Sequence, residues 1–159
     1  MQQTITIAPV RRSITVNAPP ARAFDIFATF AWWPKSYSIL PSRSPQQAAV
    51  LEQQVGGRWF ERGEDGSECD WGKVLAWEPP SRLLLGWQIT SEWKFDPAFV
   101  TEVELTFAPA EGGGTLVTLE HRNLERFGTD AAAHAEKLRG GWPTHLAQFA
   151  AYADAHIQS

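Results

Sequence analysis

Two histidines, His121 and His145, are the side chains in this sequence that are best suited to chemistry at an enclosed site. A neutral imidazole donates a hydrogen bond from one ring nitrogen and accepts one at the other, and its ordinary pKa lies close to neutral pH. His121 follows Val117 and Leu119 at alternating positions, so a β-strand would point all three side chains to the same side. His121 could therefore orient a ligand, transfer a proton or bind a metal, or it could be a core histidine that pairs with a backbone carbonyl or a buried water.

His145 lies three residues after Trp142 and four before Phe149, a spacing that places the three side chains on one face of a helix. If this helix covers the sheet that carries His121, both histidines face the same enclosed space. We take His121 as the first candidate, and His145 as the second, for the polar group that gives such a space its specificity. A metal site is not expected, because the pair lacks an inward carboxylate and the sequence has no cluster of histidines and cysteines at ligand spacing.

Aromatic residues are unusually abundant, with eight tryptophans and nine phenylalanines among 159 residues. A buried tryptophan needs a partner for its indole N–H, and this many rings form either an aromatic core or the wall of a ligand cavity. We expect Trp32 or Trp33 to lie near the mouth of such a cavity. The rings that we expect to line it are Trp71, Trp87, Phe107, Trp142 and Phe149.

The other reactive side chains show no catalytic pattern. His134 and His156 are predicted to lie on the solvated surface, and Cys69 is predicted to be a packed thiol because no base adjoins it in the sequence. Arg58 follows two glycines and could turn inward to meet an anionic group, although we expect it at the surface. The sequence has no glycine loop before a lysine, no dinucleotide fingerprint and no Gly-x-Ser-x-Gly motif. The pattern favours a binding protein over an enzyme without excluding the enzyme.

A long helix is predicted at the C-terminal end, roughly over residues 130–156. Residues 128–130 offer a turn and a helix N-cap, and helix-forming alanines follow. About 26 residues give roughly 40 Å of helix, which needs a sheet to lie on. Gly140, Gly141 and Pro143 interrupt the apolar pattern, and the proline predicts a kink. Bulky residues repeat at spacings of three and four: Leu138, Trp142, His145, Leu146, Phe149 and Tyr152.

Upstream of this helix the hydrophobic pattern changes to a period of two, which is typical of strands. A first strand is predicted over residues 5–16, then a helix from about residue 17 to residue 32, and residues 35–44 are predicted to form a loop or a short second helix. Short links between the strands predict hairpins and hence an antiparallel sheet. Turn residues divide the region after residue 47 into six strands, near residues 48–55, 58–63, 68–78, 82–91, 100–108 and 115–122.

One face of the predicted sheet is apolar and the other is polar. Leu83, Leu85 and Trp87 share one face, and charged side chains such as Glu102 and Glu104 occupy the opposite face of a neighbouring strand. The long aromatic helix must therefore lie across the apolar face. The predicted fold class is α+β, with a seven-stranded antiparallel sheet around a C-terminal helix, in one domain over residues 1–159 with residues 1–4 as a tail. The alternation does not place three glutamates, Glu52, Glu61 and Glu68.

Charge and cysteine content limit the partners and the compartment. The net charge is −4 and no basic run occurs, which argues against nucleic acid or an anionic membrane surface as partner. The single cysteine excludes an internal disulfide. The sequence has no apolar run of about 18 residues and no signal peptide, so we expect a cytoplasmic protein. The sequence leaves the oligomeric state open, with a homodimer as one possibility.

Several short motifs occur in an order that resembles one known family. They are ITVNAPPARAF (14–24), WWP (32–34), VGGRW (55–59), WGKV (71–74), WEPP (77–80), LVTLEH (116–121) and GW (141–142) followed by spaced apolar residues. Together they span about residues 10 to 155 and resemble the helix-grip fold of the START-like (SRPBCC) superfamily. More narrowly, they resemble the family named after activators of the 90-kDa heat-shock-protein ATPase.

The resemblance implies a curved sheet that grips the C-terminal helix and a small-molecule site between them. We therefore expect the protein to bind a small hydrophobic or aromatic ligand there, with no cofactor. Relatives in the wider superfamily cyclise polyketide-like substrates, so one alternative is a cyclase or hydrolase that uses His121 or His145 as acid and base. The other alternative is a co-chaperone-type interaction module, although in the co-chaperones this fold is the second of two modules.

Overall fold

A seven-stranded antiparallel sheet frames the protein in the computed structural model, which describes residues 7–156. Its strands are β1 (Val10–Val16), β2 (Gln46–Leu51), β3 (Arg58–Gly63), β4 (Glu68–Glu78), β5 (Arg82–Trp87), β6 (Thr101–Pro109) and β7 (Thr115–Arg122). Their order in the sheet is β1-β7-β6-β5-β4-β3-β2, so consecutive strands from β2 to β7 pair as hairpins. The predicted antiparallel sheet and the α+β class are confirmed. The predicted tail and the start of the first strand, at residue 5, lie outside the described residues.

Within residues 7–156 two α-helices complete the fold, α1 (Pro20–Thr29) and α2 (Ala131–Ala155). Pro20 occupies the first turn of α1, where its missing N–H costs no intrahelical hydrogen bond. Gly128 turns the chain before α2 with a φ of +86°, in the left-handed region that favours glycine. The long helix is one 25-residue element that continues through Pro143.

The two faces of the sheet differ as the alternation predicts. On the outer face Arg122 forms ion pairs with Glu102, Glu104 and Glu120 at 2.9, 3.1 and 3.1 Å. These side chains are partly exposed, so each pair contributes little to stability. The buried residues of β5, β6 and β7 include Leu83, Leu85, Trp87, Val103, Leu105, Phe107, Val117, Leu119 and His121.

The helix α2 lies across this apolar face. Trp142 reaches Trp87 of β5, with 5.7 Å between ring centroids, and Phe149 reaches Phe27 of α1 at 5.1 Å. Irregular register in β3 beside Trp59, and in β4 after Val74, marks bulges that bend a sheet. The curved sheet and the helix enclose the region in which the predicted site residues lie.

Candidate functional site

A cavity of about 550 Å³ lies between α2, the inner face of β4 and β5, and the loop that follows α1. This loop has no helix over residues 35–44, so the loop prediction is correct there and the alternative of a short helix is wrong. The wall of the cavity is largely aromatic. Its aromatic members are Trp33, Tyr37, Trp71, Trp87, Trp93, Trp142 and His145.

Most of the predicted site residues lie in this wall, but three lie elsewhere. Trp71, Trp87, Trp142 and His145 line the cavity, as does the predicted mouth residue Trp33. The three that do not line it are Phe107, Phe149 and His121.

Phe107 and Phe149 pack in the core under α1 instead. The ring of Phe107 lies 5.1 Å from that of Phe24, and the ring of Phe149 lies 5.1 Å from that of Phe27. Trp32 joins this group, at 5.6 Å from Phe149. The side chains of α1 fill this end of the space between sheet and helix, so the cavity occupies only the other end.

His121 is buried behind the wall, and both of its ring nitrogens have protein partners. The indole N–H of Trp142 donates to Nδ1 at 3.2 Å, and Nε2 lies 2.8 Å from the hydroxyl of Thr101. Because Nδ1 accepts, the ring proton is on Nε2, which donates to Thr101. Burial lowers the pKa of His121 to about 3, so the ring is neutral at pH 7. This histidine fixes the orientation of Trp142 and is not the polar group of the cavity surface.

His145 is the histidine that lines the cavity. Its ring stacks on Trp33, with 4.3 Å between centroids and 23° between planes, and Tyr37 meets it edge-on at 4.4 Å. Burial lowers its pKa to about 4. Its Nδ1 is occluded from solvent and has no hydrogen-bond partner among residues 7–156. A buried nitrogen without a partner is unusual, and Nε2 of His134 shares this condition, but of the two histidines only His145 lines the cavity.

A chain of touching tryptophans runs from Trp33, after α1, to Trp142 of α2. Trp33 lies 5.0 Å from Trp71, and Trp71 lies 5.6 Å from Trp59. The chain continues from Trp59 to Trp87 at 5.9 Å and from Trp87 to Trp142 at 5.7 Å. Edge-to-face and tilted contacts of this kind stabilise aromatic clusters and hold each ring in one orientation. The cavity wall is thus rigid.

Glu61 holds the opposite wall in place, and the sequence did not reveal it. Its carboxylate is fully buried and accepts four hydrogen bonds from uncharged donors. The indole N–H of Trp71 donates at 2.7 Å, the backbone N–H of Ile39 at 2.8 Å and the amide of Gln46 at 3.2 Å. The fourth donor is the hydroxyl of Ser38. Glu61 therefore positions Trp71 and the loop residues beside it, although it does not itself line the cavity.

The comparisons with known proteins agree with this architecture. The family model described as "Activator of Hsp90 ATPase homolog 1-like protein" matches residues 17–154. The chain belongs to this family. The search of curated proteins found no match.

Two solved structures are similar to this chain in sequence as well as in fold. One is an anthrahydroquino-gamma-pyrone synthase, Txn09, which is 36% identical with a TM-score of 0.63, over 91% of this chain and 96% of that one. The other is the self-sacrificing resistance protein CalC from Micromonospora echinospora, 29% identical with a TM-score of 0.69, over 96% and 97%. A protein from Nitrosomonas europaea, at 14% identity and a TM-score of 0.64 over 93% and 95%, shares the fold. The predicted family and helix-grip fold are confirmed.

The prediction that His134 lies on the solvated surface is wrong. The side chain is only 2% exposed and packs on Phe127 at 4.4 Å and on Trp93 at 4.9 Å, and burial lowers its pKa. The spacing could have shown this, because His134 precedes Leu138 by four residues and so lies on the same helical face. His134 supports Trp93 at the rim of the cavity.

The remaining candidates give no further reactive group within residues 7–156. Arg58 stays at the surface, where it pairs with Asp70 at 2.7 Å. Burial raises the pKa of Cys69 to about 11, so the thiol stays protonated at neutral pH. His156 is partly exposed beside Tyr152. In the described part of the chain no group of side chains is arranged to hold a metal ion, and no helix has the length and apolar character to span a bilayer.

Buried neutral histidines make the stability of this family member depend on pH. An unfolded histidine binds a proton below about pH 6.5, whereas the pKa in the folded protein is about 4 for His145 and about 3 for His121. Between these values the unfolded state binds more protons, so the free energy of unfolding falls as the pH falls. We expect a loss of about 1.4 kcal/mol per pH unit for each histidine.

Denaturant unfolding at about pH 7 and about pH 5 measures this loss. The variant His145→Phe keeps a ring against Trp33 and removes one titrating group, so its stability should change less between the two pH values. Equal stability of the wild-type protein at both pH values would contradict the prediction.

Proposed function

We propose that the protein binds a small planar aromatic molecule in the cavity between the sheet and α2. The observation that carries this proposal is the wall itself, in which five tryptophans surround about 550 Å³. This volume lies within the range of about 300–1,000 Å³ that ligand sites occupy. Rigid flat rings offer faces and edges on which another flat ring can stack.

The energetics favour apolar contact as the main source of affinity. An aromatic ligand that buries about 200 Å² gains around 5 kcal/mol at ~25 cal/mol per Å², before the costs of binding. A binding free energy of about 5 kcal/mol corresponds to a Kd of about 0.2 mM, so tighter binding requires polar contacts in addition. Polar side chains in the wall are few, and His145 is the buried one without a partner.

One of the two relatives supports an aromatic ligand. The protein that is 36% identical is named a synthase of an anthrahydroquino-gamma-pyrone, which describes fused aromatic rings. The protein that is 29% identical is named a self-sacrificing resistance protein. Neither name assigns a ligand to this chain, but the first agrees in ring type with what a tryptophan-lined wall would hold.

An enzyme that works on such a ligand is the second candidate. The synthase relative and the place of His145 in the wall favour it. A catalytic base works best when its pKa lies near the operating pH, however, and the pKa of His145 is about 4. Neutral His145 is therefore better suited to hydrogen bonding than to proton abstraction. Recovery of the ligand unchanged after long incubation separates binding from catalysis.

A co-chaperone-type role is less well supported. Exposed large apolar side chains are few among residues 7–156, namely Tyr37, Val55, Trp93 and Leu116. Two of these, Tyr37 and Trp93, line the cavity rather than a separate patch. The aromatic surface available to a partner is thus the cavity mouth.

We expect anthracene sulfonate to bind and quench tryptophan emission, and decane sulfonate, which has the same charge and no ring, to bind more weakly. Trp93→Ala should weaken anthracene sulfonate binding by roughly 2- to 12-fold, since one aromatic contact contributes about 0.5–1.5 kcal/mol. Fluorescence titration and calorimetry measure both effects.

Leu116→Ala is the matched control, because Leu116 and Trp93 are both 40% exposed and only Trp93 lines the cavity. This variant should bind like the wild-type protein. Failure of anthracene sulfonate to bind, or equal binding of the two sulfonates, would reject the proposed ligand class.

A further inference from the structure

We infer that Gly140 and Gly141 form a flat platform on α2 for a fused-ring ligand, and that His145 binds a carbonyl or other acceptor oxygen of that ligand. This inference rests on the proposed function and names the ligand class more narrowly. Three features carry it: two glycines that the fold does not require, a cavity beside them, and a histidine that lines the same cavity.

The two glycines weaken the helix that contains them. Both lie inside α2, where glycine is the poorest helix former apart from proline. Glycine is usually retained where φ is positive or where another group approaches closely. Neither condition applies here, because neither residue has a positive φ and a Cβ built at either position would have no atom within 4 Å. The described protein alone gives no reason for two consecutive glycines.

The cavity supplies the reason. Gly140 and Gly141 are both lining residues, between Leu138 and Trp142 on the same helix. Without side chains they expose bare backbone to the cavity, and a flat ring can contact that backbone at the usual distance of about 3.5–4.0 Å. A methyl group at either position would project into the space that the ring needs. The unused space beside the glycines is therefore the space of the ligand.

His145 indicates which polar group the ligand carries. Its Nδ1 is occluded and unpaired, which leaves Nε2 as the nitrogen open to the cavity. Buried N–H groups without acceptors are rarer than acceptors without donors, so the ring proton belongs on Nε2. The cavity then presents an N–H donor, which selects an acceptor oxygen. Lys137, the charged side chain among the lining residues, adds a second donor.

The glycines and the histidine thus define one ligand class, a planar fused-ring aromatic with acceptor oxygens such as those of a quinone or a pyrone. Two probes represent the class and its control. Anthraquinone sulfonate and anthracene sulfonate share their shape and charge, and only the first carries carbonyl oxygens.

The platform is tested with Gly140→Ala, Gly141→Ala and the double variant. Each replacement should raise the melting temperature by roughly 2–4 °C, because alanine is the better helix former. Each should also weaken the binding of both probes, by at least about 10-fold in the double variant, the effect of losing roughly 1.4 kcal/mol of contact. Thr144→Ala is the matched control, since Thr144 is exposed on the same helix and does not line the cavity. It should raise the melting temperature without changing either affinity.

The role of His145 is tested with His145→Phe, which keeps a ring against Trp33. The wild-type protein should prefer anthraquinone sulfonate, and the variant should lose roughly 2- to 12-fold of that preference, as expected for one hydrogen bond. An unchanged preference would overturn the assignment of His145.

The outcomes separate this inference from the proposed function. Glycine variants that bind both probes like the wild-type protein would overturn the platform while leaving aromatic binding intact. A glycine variant that is less stable or unfolded would show that the fold itself requires the glycine, and this would also overturn the platform. A wild-type protein that binds neither probe would reject the proposed function and the inference together.

Discussion

Replacing Trp142 with alanine is expected to lower the free energy of unfolding by about 3–5 kcal/mol, the range for removing a large buried aromatic side chain. The ring is only 4% exposed and contacts Trp87 and His145, with 5.7 and 5.6 Å between centroids. Its N–H is also the hydrogen-bond donor to Nδ1 of His121. The variant therefore loses ring packing and leaves a buried acceptor without its donor. Denaturant unfolding of the purified variant measures the loss.

Trp142→Phe separates the two contributions. Phenylalanine restores most of the ring but cannot donate to His121, so about 1–3 kcal/mol of the loss should remain. If Trp142→Ala unfolds at the same denaturant concentration as the wild-type protein, Trp142 does not support the core. If Trp142→Phe matches the wild-type protein, its hydrogen bond to His121 contributes nothing to stability.

Replacing Glu61 with alanine should lower the free energy of unfolding by a similar amount, at least about 3 kcal/mol. The change removes the acceptor from four donors, and each unsatisfied buried group costs about 1–3 kcal/mol. The carboxylate is fully buried, and the methyl group of alanine offers the four donors no acceptor. Trp71 and Ile39 would lose their bonds of 2.7 and 2.8 Å. Both residues line the cavity, so ligand affinity should fall together with stability.

Two further variants make the Glu61 experiment specific. Glu61→Gln keeps one acceptor oxygen in place and should lose less stability than Glu61→Ala. Glu64→Gln, at an exposed position beyond the same strand, should change stability by less than about 0.5 kcal/mol. Similar losses at Glu61 and Glu64 would mean that the buried hydrogen bonds are not the cause.

The sequence predicted best where one hydrophobic period ran along a single element. The alternation of Leu83, Leu85 and Trp87 predicted β5 and its buried face, although β5 ends at Trp87 and not at residue 91, and the pattern around Leu138 predicted α2. Both patterns arise from one element that buries one side, so local spacing is enough to detect them.

Local spacing could not predict the position of a side chain where that position depends on contacts between two elements. In β3 the register is irregular between Trp59 and Phe60, both of which are buried, so the alternation could not assign Glu61 to a face. Phe107 and Phe149 were expected in the cavity because they lie on inward faces, and they do lie inward. The residues of α1 that cover them come from a distant part of the chain, which no local spacing reports.

The connected tryptophans also give this protein a distinctive optical behaviour. Five indoles form a continuous row in space from Trp33 to Trp142, with 5.0 to 5.9 Å between the centroids of neighbouring rings. At such separations the electronic transitions of adjacent indoles couple, and excitation passes readily from ring to ring. A molecule that quenches the fluorescence of one indole in the cavity wall will therefore also lower the emission of the neighbouring indoles. The protein should report occupancy through its own ultraviolet emission and circular dichroism, without an attached dye.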